Sequence, residues 1–270
     1  RFGFGSRTGV DFPGEAAGLL RPPQQWSEVS LASLAIGQEV GVTPLQLATA
    51  FSALANGGML VRPHLVKAVI KDGEIVQETA PVRMRRVISE ATARQVTNIL
   101  QGVVARGTGK AAAVEGYTVA GKTGTAQKFD AALGRYSSQK SIASFVGYLP
   151  AERPRATILV SVDEPPVGMA WGGVAAAPLF RVIAQHTMRY LRVPPDGSQT
   201  GSAEVPIVRP ELPSTGPVVV SLGIGNFVEN VRGMMREMVD QMVSYMWGSF
   251  LSVNAKEVRK PRKKAERADR

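Results

Sequence analysis

The chain has no cysteine and only two histidines, His64 and His186. The missing thiol excludes cysteine nucleophiles, cysteine–zinc sites and disulfides, and it fits a reducing or an oxidising compartment equally well. With imidazole so scarce, any chemistry is left to lysine, serine, threonine and the carboxylates. Long apolar runs are absent too, so no stretch is expected to span a bilayer, and no secretory leader is recognisable. What is present is a hydrophobic content of 44% in 270 residues, enough for a core in the first two thirds. The net charge is +10, and half of it is local: residues 256–270 hold eight Lys/Arg against three Asp/Glu. That tail reads as solvated and disordered, with contact to an anionic surface as the sharper alternative. Nucleic acid is disfavoured, because no aromatic residues are interleaved with these charges. The opening Arg1-Phe-Gly-Phe-Gly-Ser6 reads as the middle of a domain, and the chain is expected to be a C-terminal piece of a longer protein.

The most informative segment is Thr118-Val-Ala-Gly-Lys-Thr-Gly-Thr-Ala-Gln-Lys128. Its lead-in, Tyr117-Thr-Val-Ala120, is aromatic and β-branched and predicts a strand. Two glycines in one strand, Gly121 and Gly124, call for a reason, and the usual ones are a bulge or a ligand backbone that comes very close. An ammonium at Lys122 and hydroxyls at Thr123 and Thr125, with a bare glycine between them, suit docking of an extended ligand that ends in a carboxylate. The same residues also satisfy the P-loop expression, Gly116 through Gly121-Lys-Thr123, and Ile158–Glu164 imitates an acidic strand end that could hold magnesium. A P-loop must wrap phosphate in a loop and then open a helix. Here strand formers precede Lys122 and a turn-rich stretch follows, so a P-loop ATPase ranks last among the readings.

Along the chain, residues 1–30 read as irregular. Thr43 caps a helix with Pro44 at its first position and Gln46 completing a capping box. Leu45, Leu47, Ala48, Phe51, Leu54 and Ala55 form its apolar face, and Asn56-Gly-Gly58 stops it. Val66–Ile70, Asp72-Gly73 and Glu74–Glu78 read as a hairpin. Ser89 caps a second helix with Val96, Ile99, Leu100, Val103 and Val104 on one side, ending at Arg106-Gly-Thr-Gly109. Strands are expected at about 117–127, 141–149 and 155–163, and a helix at about 175–192 opened by Pro178. This order gives an α+β fold, helices packed on an antiparallel sheet. Residues 194–217 form a Pro-rich linker, residues 218–255 a small C-terminal module with a methionine-striped helix, and residues 256–270 the basic tail.

Four blocks carry a family resemblance. They are Gly37-Gln-Glu-Val-Gly-Val-Thr-Pro-Leu-Gln-Leu-Ala48 with Ala53–Gly58, Gly107-Thr-Gly-Lys-Ala-Ala112 with Gly116-Tyr117, Gly121–Lys128, and Asp163-Glu-Pro-Pro166 with Trp171-Gly-Gly173 and Ala175–Phe180. In order and spacing, residues 1–193 resemble the C-terminal part of the transpeptidase domain of a class B, division-type penicillin-binding protein, with Lys-Thr-Gly as its third motif. The segment after the linker weakly resembles a PASTA module. The resemblance implies the penicillin-binding protein and serine β-lactamase-like fold, incomplete on its N-terminal side. It also implies a peptidoglycan D,D-transpeptidase acting through an acyl-serine, with β-lactams as inhibitors and no cofactor or metal. Implied partners are peptidoglycan stem peptides, a glycosyltransferase and divisome membrane proteins. The implied location is the periplasmic face of the inner membrane, with an anchor upstream. Lys122 would set the field at the substrate carboxylate and assist proton transfer. Thr123 and Thr125 would hydrogen-bond that carboxylate, the Thr125 N–H would serve the oxyanion hole, and Gly124 would leave room for the substrate along the strand.

The chain departs from the family pattern in one respect. The family order is Ser-x-x-Lys, Ser-x-Asn, then Lys-Thr-Gly, and nothing before residue 122 fits the first two. Ser137-Ser-Gln-Lys140 and Ser252-Val-Asn254 match by chance, Ser137 being expected in a polar loop between strands. The chain is therefore expected to hold one wall of a site without its nucleophile, and to be inactive alone. Tyr136 and Trp171 are candidate cleft residues, more simply packing. His64, His186 and Glu164 read as structural, Glu164 at a strand end or turn. A non-catalytic penicillin-binding or sensor domain, and a D,D-carboxypeptidase or β-lactamase of the same fold, stay open as alternatives.

Overall fold

A computed structural model describes residues 1–130, 134–166 and 168–196. Most of the expected linker, the C-terminal module, the basic tail and Ser252-Val-Asn254 lie outside the described residues. The chain opens with irregular structure. A short antiparallel pair follows, between β1 (Leu19–Leu20) and β2 (Val40–Gly41), with helix α1 (Ser30–Ala35) between them. Carboxylates order this region. Glu15 accepts from the Thr8 N–H and hydroxyl, both at 2.6 Å, and from the Gly9 N–H at 3.1 Å. Asp11 reaches across to the N–H groups of Leu65 and Val66 at 2.6 and 3.0 Å. Glu39 accepts from the Ser30 hydroxyl at 2.8 Å and pairs with Arg21. Each carboxyl is held below its ordinary range: Asp11 by the Leu65 and Val66 amides, Glu15 by the Thr8 hydroxyl, Glu39 by the Ser30 hydroxyl.

Helix α2 (Pro44–Ala55) starts as its sequence predicts. Thr43 Oγ1 accepts from the Gln46 N–H at 3.1 Å, and Gln46 Oε1 accepts from the Thr43 N–H at 2.9 Å. The buried Gln46 amide has a second task, donating from Nε2 to the carbonyls of Ser6 and Ala17, both at 2.7 Å. One side chain thus caps the helix and pins the N-terminal segment onto it. Strand β3 (Met59–Arg62) follows, then β4 (Ala68–Lys71) and β5 (Glu74–Glu78), then β6 (Val82–Arg86). The β4–β5 hairpin turns through Asp72 and Gly73, both at positive φ, as the Asp-Gly pair predicts. The pairing of β3 with β6 around this hairpin is an element that the sequence reading lacks. Helix α3 (Glu90–Ala105) is capped by Ser89, whose Oγ accepts from the Thr92 N–H at 3.0 Å. Its buried residues are Ala93, Leu100 and Val104, whereas Ile99, expected on that face, is 67% exposed.

Three strands form the central sheet: β7 (Ala120–Asp130), β8 (Arg135–Leu149) and β9 (Ala156–Asp163), antiparallel, in the order β7–β8–β9. Helix α4 (Gly172–Ala175) leads through Ala176 into α5 (Ala177–Tyr190). Strand alternation divides the sheet between two cores. Phe145, Leu149 and Val160 face Phe180, Ala184 and Met188 of α5. Ala120 and Tyr148 face Leu100 of α3, with Phe51 and Leu54 of α2 packed alongside. Phe145 and Phe180, both fully buried, meet edge to face with ring centroids 4.7 Å apart. The Tyr148 hydroxyl shares a 2.7 Å hydrogen bond with Thr97, and burial pushes its phenol above the ordinary value. The α+β architecture is the one expected, helices on both faces of an antiparallel sheet.

Several boundaries move. Tyr117 and Thr118 precede β7, because their hydrogen bonds go to the chain beyond α5: the Tyr117 hydroxyl donates to the Val193 carbonyl, and Thr118 to Asp196. Residues 194–196, assigned to the linker, therefore begin as a strap under the start of β7. Strand β8 begins at Arg135, six residues before its expected start, so Ser137 lies on a strand and not in a loop. The extension is held by the Phe129–Tyr136 register pair, whose rings meet edge to face at 5.7 Å. The helix expected at 175–192 is split, with a short first segment.

The depressed carboxyl groups carry a pH dependence. Their contribution is present above the ordinary carboxylate range and is lost as pH falls through the lowered folded values. Acidification is expected to release the N-terminal segment first, read as faster amide hydrogen exchange at Leu65, Val66 and Thr8 before exchange rises in β8.

Candidate active site

Strand β7 lies at the edge of its sheet, so one row of its backbone groups stays free for another chain. Lys122 and Thr125 are exposed on this strand, and Thr123 and Gly124 are half-buried. Lys122 Nζ donates to the Thr123 carbonyl at 2.8 Å and makes no ion pair among the described residues. The Thr123 hydroxyl shares a 2.8 Å hydrogen bond with the Thr108 hydroxyl. Thr125 Oγ1 accepts from the Gly172 N–H at 3.2 Å. The strand edge therefore presents one ammonium without a carboxylate partner among the described residues and two hydroxyls, each hydroxyl tied from behind by a different element.

Glycines make this closeness possible. A Cβ at Gly121 would lie 2.5 Å from the Phe145 ring and 2.9 Å from the Val146 carbonyl. At Gly124 it would meet Ser144 Oγ at 2.5 Å. At Gly172 it would lie 2.3 Å from the Ser144 carbonyl and 2.5 Å from that of Gly124, and at Gly173 it would lie 2.5 Å from the Thr108 carbonyl. Real Cβ contacts do not come so close, and most of these neighbours are backbone, which cannot step aside. The segments Gly107-Thr-Gly109, Lys122-Thr-Gly124 and Trp171-Gly-Gly173, far apart in sequence, converge here. The strand glycines, expected to make room for a ligand backbone, instead make room within the protein itself for Phe145, Ser144 and α4.

The other candidates fall elsewhere. Lys128 sits at a bulge between Gln127 and Phe129 and pairs with Asp163 at 3.0 Å and Glu164 at 2.8 Å. Glu164 and then Asp163 raise the Lys128 pKa. Glu164 is thereby a strand-end partner. The P-loop reading fails on geometry, because residues 120–130 continue as a strand and open no helix. Ser137 Oγ accepts locally from the N–H groups of Gln139 and Lys140. Tyr136 packs on Phe129 at the far end of the β7–β8 hairpin, while Trp171, 68% exposed, adjoins Gly172 at the rim of the site. His64 and His186 are half-buried. No group of three or more His, Asp or Glu among the described residues could hold a metal ion. Thr108 and the Gly172 N–H are the residues the sequence reading missed. Both were in quoted blocks, but nothing local marks a contact between positions 15 or 47 residues apart.

An antiparallel sheet between helical layers, with Lys-Thr-Gly on its edge strand, defines the class as a penicillin-binding transpeptidase fold. Sequence comparison agrees, since residues 1–185 match the family described as penicillin binding protein transpeptidase domain. The chain belongs to this family. It is 42% identical over 200 residues to stage V sporulation protein D of Bacillus subtilis, covering 73% of this chain and 31% of that protein. It is also 42% identical to penicillin-binding protein PbpB of Mycolicibacterium smegmatis, covering 72% of this chain and 31% of that one. Among solved structures, penicillin-binding protein 3 of Mycobacterium tuberculosis in complex with aztreonam superposes with a TM-score of 0.66 at 41% identity. That match covers 72% of this chain and 45% of the other. The transpeptidase domain of Burkholderia pseudomallei penicillin-binding protein 3 gives a TM-score of 0.62 at 41% identity, covering 72% and 56%. The chain spans about a third of the length of these curated relatives.

Gly172→Ala tests the packing at the site. The added methyl meets backbone on two strands, so a loss of about 1–3 kcal/mol of stability is expected. Gly102→Ala, where a Cβ would meet only the tip of Arg106 at 3.6 Å, serves as the reference for a glycine with room and, like Gly172, without positive φ. Denaturant unfolding measures both.

Proposed function

We propose that this chain forms the substrate-carboxylate wall of a peptidoglycan D,D-transpeptidase that cross-links stem peptides through an acyl-serine during cell division. The observation that carries the reading is the edge of β7, where the Lys122 ammonium, with no carboxylate partner among the described residues, stands beside the Thr123 and Thr125 hydroxyls. An extended peptide can add to that edge by main-chain hydrogen bonds and place its terminal carboxylate among these donors. Lys122 supplies the positive field and assists proton transfer at the nucleophile. Thr123 and Thr125 donate to the carboxylate. The Thr125 N–H is one of two donors to the oxyanion that forms when serine adds to the D-Ala–D-Ala carbonyl, a contact worth about 3–4 kcal/mol in the transition state. Gly124 leaves this stretch of strand without a side chain. The serine comes from outside these 270 residues, which contain no Ser-x-x-Lys ahead of β7.

β-Lactams enter the same wall as substrate mimics. This fits one relative, penicillin-binding protein 3 of Mycobacterium tuberculosis, solved in complex with aztreonam and with ampicillin. The site of action is the extracytoplasmic face of the membrane, alongside a glycosyltransferase and divisome membrane proteins. No helix among the described residues is long and apolar enough to cross a membrane. Residues 1–193 are the transpeptidase part, followed by the linker, the small module and the basic tail.

Fluorescent penicillin labelling, read as a covalent band on a denaturing gel, tests the proposal. The 270-residue chain is expected to give no band. Protein that also carries the acylating serine is expected to label, and to lose most of the label with Lys122→Ala. A band from the 270-residue chain that vanishes with Ser137→Ala would overturn the assignment of the nucleophile.

A further inference from the structure

The two threonine hydroxyls on β7 are not equivalent to free hydroxyls on a strand. A threonine hydroxyl has one proton and two lone pairs, whereas a carboxylate only accepts. To hold a carboxylate, each threonine must turn its proton outward. Thr125 is already set to do so. The Gly172 N–H is a donor only and occupies a lone pair of Thr125 Oγ1 from 3.2 Å, so the Thr125 proton cannot point that way. Thr123 faces a hydroxyl instead of an amide, Thr108 Oγ1 at 2.8 Å, and either oxygen can donate in that pair. Lys122 Nζ, another pure donor, stands 3.5 Å from the same Thr123 oxygen. An acceptor-only ligand at the edge resolves the choice, with Thr108 donating to Thr123 and Thr123 donating to the ligand. Each link in such a chain strengthens the next by polarising it.

The position of Thr108 is itself fixed by packing. It lies between Gly107 and Gly109, where a Cβ would meet Val103 backbone at 2.9 Å and the Phe145 ring at 3.1 Å, and its carbonyl abuts Gly173. The turn after α3 is thus wedged between α3, the sheet and α4. Thr108 is held at the threonine of the motif but has no place in the motif.

We infer that Thr108 is a positioning residue for carboxylate recognition, holding the Thr123 hydroxyl as a donor toward the ligand, as the Gly172 N–H holds that of Thr125. The inference rests on the proposed role of the β7 edge. It is tested in the full-length protein that carries the acylating serine, by measuring the second-order rate of acylation with benzylpenicillin and with its methyl ester, which lacks the anion. Thr108→Val, which keeps the shape and removes the hydroxyl, is expected to slow benzylpenicillin about tenfold, the size of one hydrogen bond to a charged group. The ester rate should change less than about twofold on the same scale, and Thr108→Ser should restore the benzylpenicillin rate. Equal loss with both compounds, or loss with neither, overturns the inference. Thr125→Val separates the two levels. If it slows benzylpenicillin while Thr108→Val does not, only the inference fails. If neither Thr125→Val nor Lys122→Ala slows it, the reading of the wall fails as well.

Discussion

The candidate site depends on one steric constraint, the contact of backbone with backbone where α4 closes on β7 and β8. Gly172 sits against the carbonyls of Ser144 and Gly124, and Gly124 lies against Ser144 Oγ. Side chains at these positions would push the helix off the sheet, because a Cβ at 2.3–2.5 Å from a carbonyl oxygen must retreat to ordinary contact distance. The Gly172 N–H would then lose Thr125, and the Thr108 turn would lose its seat against Gly173. Phe145 works from the other direction. Its buried ring fills the space over Gly121 and Gly147 and locks the sheet onto α5 through Phe180. Where β7 comes closest to its neighbours, at Gly121 and Gly124, it carries no side chain, and this lets Lys122, Thr123 and Thr125 stand at the edge.

Rigidity at the edge also draws on both ends of the described chain. The N-terminal segment is held to α2 by Gln46 and to the β3–β4 connection by Asp11. The residues beyond α5 return to strap Gly116, Tyr117 and Thr118 just ahead of β7, with the Asp196 N–H donating to the Gly116 carbonyl at 2.8 Å. At the other end of the strand, Lys128 spans β8 to reach Asp163 and Glu164. Motif residues 122–125 thus lie between two tethered ends. Strand edges otherwise fray or slip register, and a register slip of one residue would send Lys122 to the opposite face.

What the sequence made legible was local. The capping box at Thr43, the Asp-Gly turn at residues 72–73, the Ser89 cap and the β-branched strands each carry their physics within a few residues. The β3–β6 pair was illegible for the complementary reason. Val82-Arg-Met-Arg-Arg86 is exposed throughout and shows no alternation, and its partner strand lies on the far side of a hairpin. Ser137 was assigned to a loop because polar residues surround it, yet Phe129 and Tyr136 pair across the hairpin and extend the strand. Ile99 had the right spacing for the core face of α3 but no neighbour there to bury it. Within the site, Lys122, Thr123, Gly124 and Thr125 could be named from their residue types. Thr108 and Gly172 could not, since their roles exist only once three separated glycine segments have folded together.

The same comparison explains why one expression can describe two unrelated sites. Gly116 to Thr123 fits a phosphate-binding loop letter by letter, but a loop needs its N–H groups free to converge on one anion. Here the residues from Ala120 onward are paired with β8, so their N–H groups alternate between the sheet and the open edge. Only a ligand that runs along the strand can collect them. Electrostatics adds a further requirement. A unit charge pair at 4 Å is worth about 1 kcal/mol in water and about 4 kcal/mol at an effective dielectric near 20. Lys122 is exposed, so an ammonium–carboxylate contact at this edge discriminates little while water reaches it. The proposed carboxylate wall would gain its strength when a second surface covers it and excludes that water. This is the physical reason for expecting the nucleophile and the covering surface to arrive together: the segment that brings the serine would also turn a solvated lysine into a carboxylate-binding one.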